Sequence, residues 1–486
     1  MALGIFVGAM PGLSATMAVA LIVPLTLHMQ PIAGLAMILG VSFTAIFAGD
    51  IPATFLRIPG TPASGAAILD GYEMARKGEG STAITLDLVC STLGGTIGIL
   101  ILIFVSPLLA AFALRFTHFE YFWLGVLGLS MSAVISKGST VNGIISVAAG
   151  LLLSTIGVDI ATGYPRFAFG NVELMNGIGF IPVMIGLFGV SEVIRSLLTK
   201  TTMGNSIVRE KIKFALRTAL KLVMKNKRVT VQSAFIGTLI GALPGAGADI
   251  AAWVSYGIAK RTSRNQAKFG TGTPEGVIAP TSANNAALGG TWIPALVFGI
   301  PGDSITAIVL GAMLMYGLRP GPLVFQTEHL LVNQIFTVAL ISQVFLIVLG
   351  YLGIRAFAVL FRFPRNIVLA AILVFSVVGA YALRNSVFDI GLVVVFGVVG
   401  YLMERAEIPL PPFVLGLILG PMVEENLRVG LIKSSGSILP FLDRPISAAL
   451  VAILAAVLLW DPVAGIVKSV AAARRARKTK AEESDA

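Results

Sequence analysis

Apolar residues run along this chain in long, nearly unbroken stretches rather than in the spaced stripes of a soluble amphipathic helix. Residues 83–106 (AITLDLVCSTLGGTIGILILIFVS), 331–351 and 446–467 are examples. Each is long enough to cross a bilayer, for which about 20 apolar residues suffice. Repeated stretches of this kind predict an all-α polytopic membrane protein. Four places interrupt the pattern with Pro, Gly and small hydroxyl residues: GAMPG at 8–12, IPGTPASG at 58–65, GALPG at 241–245 and IPGDSIT at 300–306.

The interruptions come in pairs. GAMPG and GALPG are related by a shift of 233 residues, and IPATFLRIPG (51–60) and IPALVFGIPG (293–302) by a shift of 242. Pro52 and Pro59 are spaced as Pro294 and Pro301 are. The difference between the shifts fits an insertion in the polar loop 260–276. Chance pairing of abundant Pro and Gly is the simpler alternative, and the kept spacing favours a duplication. We therefore expect two homologous, inverted repeats, residues 1–198 and 229–468, joined by a basic cytoplasmic connector at 199–228 and followed by a cytoplasmic tail at 469–486. About 10–12 spans are expected, together with re-entrant hairpins and broken helices.

Segment 229–259 has two apolar arms meeting at Pro244-Gly245. Its flanks are both basic, with Lys225, Lys227 and Arg228 before it and Lys260, Arg261, Arg264 and Lys268 after it. Positive residues on one side at both ends predict a re-entrant hairpin, the alternative being one long kinked span. Non-helical backbone at membrane depth survives only against protein or a water-filled cavity. A helix that starts at such a break turns its free N–H groups and partial positive charge toward the cavity, which suits an anion, while free carbonyls suit a cation such as Na⁺.

These arguments select a polar pocket between the breaks. Its candidate lining is Gly60, Thr61, Ser64, Asn284, Asn285, Gly302, Asp303 and Ser304, closed by hairpin tips at Pro11, Gly12, Ser14, Pro244, Gly245 and Asp249. Thr61, Asp303 and Ser304 are equally readable as helix caps, and the adjacent amides Asn284 and Asn285 as a hydrogen-bonded helix contact. Asp50 and Arg57, seven residues apart, are a possible charge pair across two helical turns. Glu404, Arg405 and Glu407 read as interfacial residues at a helix end.

Composition narrows the chemistry. The chain is 56% hydrophobic and 12% charged, about half the usual charged share. Its net charge of +11 does not indicate nucleic acid, because the basic residues collect at 195–228, 260–268 and 474–480 (RRARKTK). That pattern places these segments in the cytoplasm. One cysteine, Cys90, allows no internal disulfide, and His28, His118 and His329 lack metal-ligand spacing. No HExxH, GxSxG or Walker motif occurs. No catalytic, metal or cofactor site is expected.

GAMPGLSATMAVALIVPLT, IPGTPASGAAILDGYEMARKG, GALPGAGADIAAWVSYGIAKR, PTSANNAALGG and IPGDSITAIVLGAMLMYGLRPGPLVF together resemble the large permease subunit of tripartite tricarboxylate transporters, the TctA family. The resemblance implies a bacterial inner-membrane secondary transporter importing organic carboxylates, with Na⁺ as coupling ion. It also implies two partners, a small TctB-like membrane subunit and a periplasmic TctC-like binding protein. The alternative is a stand-alone anion carrier or a channel. Two departures bear on this. Family members carry a further hydrophobic stretch ahead of the first PG element, so the first repeat is expected to be truncated. AGDIPATFLR stands where small residues such as GGS are common, which leaves the preferred carboxylate open.

Overall fold

In the computed structural model, residues 1–10, 13–26, 29–136, 139–159, 162–198, 214–360 and 365–459 are described, without side chains at 357–366 and 368. Pro11, Gly12, most of the connector and the tail lie outside them. The described residues are predominantly helical. Single-turn pieces aside, the first half comprises α1 (Ala2–Gly8), α2 (Ala15–Thr26), α3 (Pro31–Leu56), α4 (Ser64–Met74), α5 (Gly80–Ala113), α6 (His118–Ile135), α7 (Thr140–Ser154) and α8 (Phe180–Leu198). After α9 (Leu216–Lys225), the second half comprises α10 (Lys227–Gly241), α11 (Gly247–Thr262), α12 (Pro274–Phe298), α13 (Ser304–Met315), α14 (His329–Leu360), α15 (Arg365–Arg384), α16 (Val387–Arg405) and α17 (Leu410–Lys433). A last apolar helix, α18, spans Pro445–Leu459.

Among the described residues, six helical stretches are long and apolar enough to cross a membrane, and five shorter apolar helices accompany them. The protein is thus an all-α membrane protein. Leu, Val, Ile and Phe side chains on α5, α14, α15 and α16 remain exposed, as a lipid-facing belt requires.

The interruptions act as helix boundaries. Pro31 and Pro274 open α3 and α12 at positions where a missing N–H costs nothing. Both helices end in a left-handed residue, Arg57 (φ 59°) and Gly299 (φ 70°), immediately before the two IPG sequences. α10 and α11 are packed antiparallel arms meeting at Leu243–Ala246, where the amide of Gly245 donates to the Gly302 carbonyl at 2.8 Å.

The two halves share one packing plan. Gly8 of α1 sits against the backbone of Ala45 in α3, and Gly241 of α10 sits likewise against Ala287 in α12. A Cβ on Gly60 would lie 2.5 Å from the Cα of Gly49 and 2.8 Å from the Gly8 carbonyl. One on Gly302 would lie 2.5 Å from the Gly241 carbonyl and 2.8 Å from the Cα of Thr291. Every partner in the second set is displaced from its counterpart by the shifts read in the sequence. α5 and α12 form the largest helix pair in the molecule, and α12 is buried along nearly its whole length.

The last three helices of each half are arranged reciprocally. α17 packs on α6 and α7 of the first half, while α8 packs on α15 and α16 of the second. Gly416 of α17 approaches the Val147 carbonyl and the Leu151 amide of α7. Gly186 of α8 approaches the Val393 carbonyl and the Gly397 amide of α16 in the same way. Each half therefore lends its third helix to the other's helix pair. Between α7 and α8, the short strands β1 (Gly157–Val158) and β2 (Pro165–Arg166) form a hairpin. It is clamped to α17 by Arg166–Glu424 (2.6 Å) and Asp159–Arg428 (2.7 Å). The connector is partly docked, since α9 buries Ala219 and Val223 beside α5.

Candidate functional site

A cavity of about 750 Å³ lies where the interruptions converge. The starts of four helices meet at it, through Ser14–Thr16 at α2, Thr61–Ala63 immediately ahead of α4, Gly247–Ile250 of α11, and Asp303–Ile305 at α13. The opposite wall comes from the exchanged helices, through Leu187–Arg195 of α8, Glu404 of α16, and Glu407–Pro411 where the chain enters α17. Ser136, just past α6, completes it.

The breaks fix these residues locally. Ser14 Oγ accepts the Met17 amide at 3.1 Å, capping α2. Asp303 accepts the Thr306 amide at 2.8 Å, and Thr306 Oγ1 accepts the Asp303 amide at 3.0 Å, so this acid is both cap and cavity wall. Thr61 Oγ1 and Ser64 Oγ share a hydrogen bond of 2.8 Å. Gly247 (φ 57°) leaves room for Asp303, whose Cβ stands 2.8 Å from where a glycine Cβ would be.

Of the residues selected from sequence, Ser14, Gly60, Thr61, Gly245, Asp249, Asp303 and Ser304 line the one cavity. Pro244, Ser64 and Gly302 stand directly behind its wall: Pro244 against Gly128, Ser64 on Thr61, Gly302 between Gly241 and Thr291. Asn284 and Asn285 do not reach the cavity. They lie in the interior of α12, roughly 20 Å of helix before its broken end at 1.5 Å per residue. Asn284 Oδ1 and both polar atoms of Asn285 are buried without hydrogen-bond partners.

Asp50 and Arg57 do not pair. Asp50 is fully buried in α3 beside Ser64 and Asp87, and neither of its carboxylate oxygens has a hydrogen bond. Arg57 lies beyond the end of α3 in a left-handed conformation, which swings its side chain off the helical face. Its guanidinium sits 5.5 Å from the ring centroid of Tyr72. The two-turn spacing required helix through residue 57, and the helix stops at residue 56.

Glu404 and Glu407, at and just past the end of α16, line the cavity. Glu192, Arg195 and Ser191 on α8 also line it, with Glu192 and Arg195 ion-paired and Glu404 close enough to act on both. Sequence reasoning passed over this group, yet SEVIR inside the apolar run 180–198 carried a signal. A charged pair in such a run is expensive unless it faces a polar space. Among the described lining residues, five carboxylates (Glu192, Asp249, Asp303, Glu404, Glu407) face one guanidinium, Arg195.

Fold and site together define a multi-pass helical membrane protein whose broken helices enclose a polar cavity. The chain belongs to the tripartite tricarboxylate transporter TctA family, whose model matches residues 1–415; it is a membrane subunit of that transporter class. It is 34% identical over 457 residues to an uncharacterised 52.8 kDa protein in the TAR-I ttuC′ 3′ region of Agrobacterium vitis, an alignment covering 93% of this chain and 89% of that one. It is 37% identical over 214 residues to an uncharacterised protein in the TAR-II ttuC′ 3′ region of the same organism, covering 44% of this chain and 88% of that one. No solved structure matches it.

Proposed function

We propose that this chain is the permease of a binding-protein-dependent secondary transporter that imports a small organic carboxylate together with a cation, Na⁺ first among candidates. The observation that carries this reading is the convergence of four helix N-termini on one cavity. Each brings the partial positive charge of a helix start, roughly half an elementary charge, which favours an anion within a membrane. The lining carboxylates work the other way: with Arg195 bound to Glu192, a free carboxylate would enter a cavity of net negative side-chain charge. A co-bound cation offsets that charge, so the same geometry that admits the substrate makes its binding depend on the ion. Asp303 and the carbonyls of the breaks stand ready as its neighbours.

The shared packing plan supports two inverted homologous repeats, with α10–α11 and α1–α2 as re-entrant pairs. With the basic connector in the cytoplasm, the Arg195 end of α8 lies on that side. α16 runs parallel to α8, since Val393 and Gly397 meet Gly186 and Val190. Glu404 and Glu407 thus fall at the cytoplasmic mouth, and this conformation faces inward. Loading from a periplasmic TctC-like protein and docking of a TctB-like subunit belong to the same reading, as does residence in the bacterial inner membrane.

The test is uptake of radiolabelled citrate and of smaller dicarboxylates into proteoliposomes holding the permease and both partners, with and without an inward Na⁺ gradient. Saturable uptake that requires the gradient and the binding protein is expected. Uptake indifferent to both would leave a channel or a lone carrier in its place.

A further inference from the structure

The short helix that leads into the second half faces three ways at once. Successive residues of α9 (Leu216–Lys225) are turned about 100° from one another, so its positions sort around the circumference into adjacent bands. Ala219 and Val223 form the first band, buried in one cluster with Leu86, Val89 and Cys90 of α5. Leu216, Leu220 and Met224 form the second, and they are 36%, 45% and 68% exposed. Arg217, Lys221 and Lys225 form the third, all of them exposed. Around the helix, protein contact thus passes to exposed apolar surface and then to positive charge.

α10 repeats the order along its length. Exposed Lys227 is followed at four-residue steps by Val231, Phe235 and Leu239, all exposed, so one apolar ridge runs under a basic head. The Asn226 side chain donates to the Leu222 carbonyl at 2.9 Å where α9 ends and α10 begins. The depth of α9 is set by α5. The Ala215 amide donates to Thr85 Oγ1 at 3.3 Å, and α5 is buried from Ala83 through Thr92 before its exposed apolar side chains begin at Leu93. α9 therefore lies at the edge of the apolar layer. α14 reaches the same edge, where exposed Val348 and Leu352 give way to exposed Arg355. The Arg355 guanidinium lies 5.1 Å from the ring centroid of Tyr351, which is 4.5 Å from that of Phe214, two residues before α9.

Every charged residue from Lys211 to Ala248 is basic. Among the described residues, Arg217, Lys221, Lys225, Lys227, Arg228 and Arg355 take part in no ion pair. An apolar ridge beside a basic face is the pattern of a helix lying in the membrane interface, where acyl chains cover the ridge and anionic headgroups meet the charge. We propose that α9 and the start of α10 form a binding site for an anionic phospholipid. Its phosphate lies among Arg217, Lys221, Lys225 and Lys227, and its acyl chains lie on Leu216, Leu220 and Met224. The continuity of this ridge with the one on α10 selects lipid over a protein partner as its cover. Because α10 runs from here to the tip at Gly245, the lipid holds the outer end of the arm that reaches the cavity. The choice of the cytoplasmic leaflet rests on the transporter reading; the headgroup site does not.

Fluorescence quenching on the full-length protein in lipid nanodiscs tests this. Cys90 is buried, so a fluorophore attached at Met224→Cys reports on the ridge. Nitroxide-bearing phosphatidylglycerol and nitroxide-bearing phosphatidylcholine, each at the same dilution in phosphatidylcholine, serve as quenchers. At low salt the phosphatidylglycerol should be enriched at the label about fivefold or more, the factor expected for even one basic residue at an anionic lipid. Sodium chloride should reduce that excess. Arg217→Gln combined with Lys221→Gln and Lys225→Gln alters only exposed side chains, should leave the melting temperature unchanged, and should bring the two quenchers level. Lys221→Arg should keep the preference. Equal quenching by the two lipids in the wild-type background, or an excess that salt leaves untouched, overturns the anionic site even if the triple variant fails to fold. A label that neither lipid reaches overturns the ridge as a lipid surface, and its protection by a co-expressed small membrane subunit would put a protein there instead. Transport enters none of these measurements, so failure of the transport reading would leave their outcome standing.

Discussion

Arg57 occupies the left-handed position that its counterpart in the second half, Gly299, fills without strain. A non-glycine residue there costs about 1–2 kcal/mol, and the contact with Tyr72 returns roughly 0.5 kcal/mol at an exposed site. Thermal melts in detergent should therefore rank Arg57→Gly at or above wild type and Arg57→Ala about 0.5 kcal/mol below it, since Ala keeps the strain and loses the ring. At the cavity, Arg195 needs a two-residue test. Arg195→Ala alone leaves Glu192 without its partner, and with the arginine half exposed to the cavity it should lower stability by about 1 kcal/mol. Glu192→Gln with Arg195→Gln removes both charges, should retain the fold, and should reduce carboxylate uptake at least tenfold, the order expected for losing one charge-assisted hydrogen bond. Wild-type uptake by the double variant would exclude Arg195 from substrate binding. Single residues were legible in the sequence where a break in helix forces a polar wall, as at Thr61, Asp303 and Gly245. They were not legible where the wall is a helix side: nothing in the periodicity of 180–198 tells which face meets α16 and which meets the cavity.

Whole elements were easier to read, because apolar runs and Pro-Gly breaks are local signals. The arms around Pro244-Gly245 and the ends of α3 and α12 fall where composition puts them. Pairing between elements is a long-range property, and here only the repeated spacing gave access to it. Gly8–Ala45 and Gly241–Ala287 could be matched as equivalents from the shifts, but nothing local announced that α8 and α17 change places. Two substitutions probe that layer. Gly245→Ala puts a Cβ 2.5 Å from the Cα of Ser132 at a positive φ, and should cost roughly 1–3 kcal/mol in stability and abolish uptake. Gly186→Leu and Gly416→Leu wedge the two equivalent helix contacts and should destabilise to similar extents, read as parallel losses of melting temperature. A large effect of one and none of the other would show that the exchanged contacts are not equivalent.

At the scale of the molecule, the reciprocal arrangement makes each half incomplete. Residues 1–198 expressed alone should be degraded, because α8 lacks α15 and α16 and α6–α7 lack α17. Co-expression with residues 214–486 should restore a detergent-stable complex that co-purifies, and a first half stable by itself would contradict the exchange. The cavity belongs to neither half: two of its helix N-termini come from each, and its far wall joins α8 of the first to Glu404–Pro411 of the second. This explains why no single motif in the chain looks like a binding site.

The exchange also sets a timetable for synthesis. When α8 leaves the ribosome, the helices it packs against lie some 170–200 residues downstream, about 10–40 s away at ordinary elongation rates. During that wait the nascent chain must shelter a helix whose cavity face carries an acid and a base. Glu192 and Arg195, one turn apart and already paired, let α8 stand in lipid as a near-neutral rod until its partners arrive. Variants that split the pair are therefore expected to fail during membrane insertion before they fail at transport, read as loss of membrane-integrated chain.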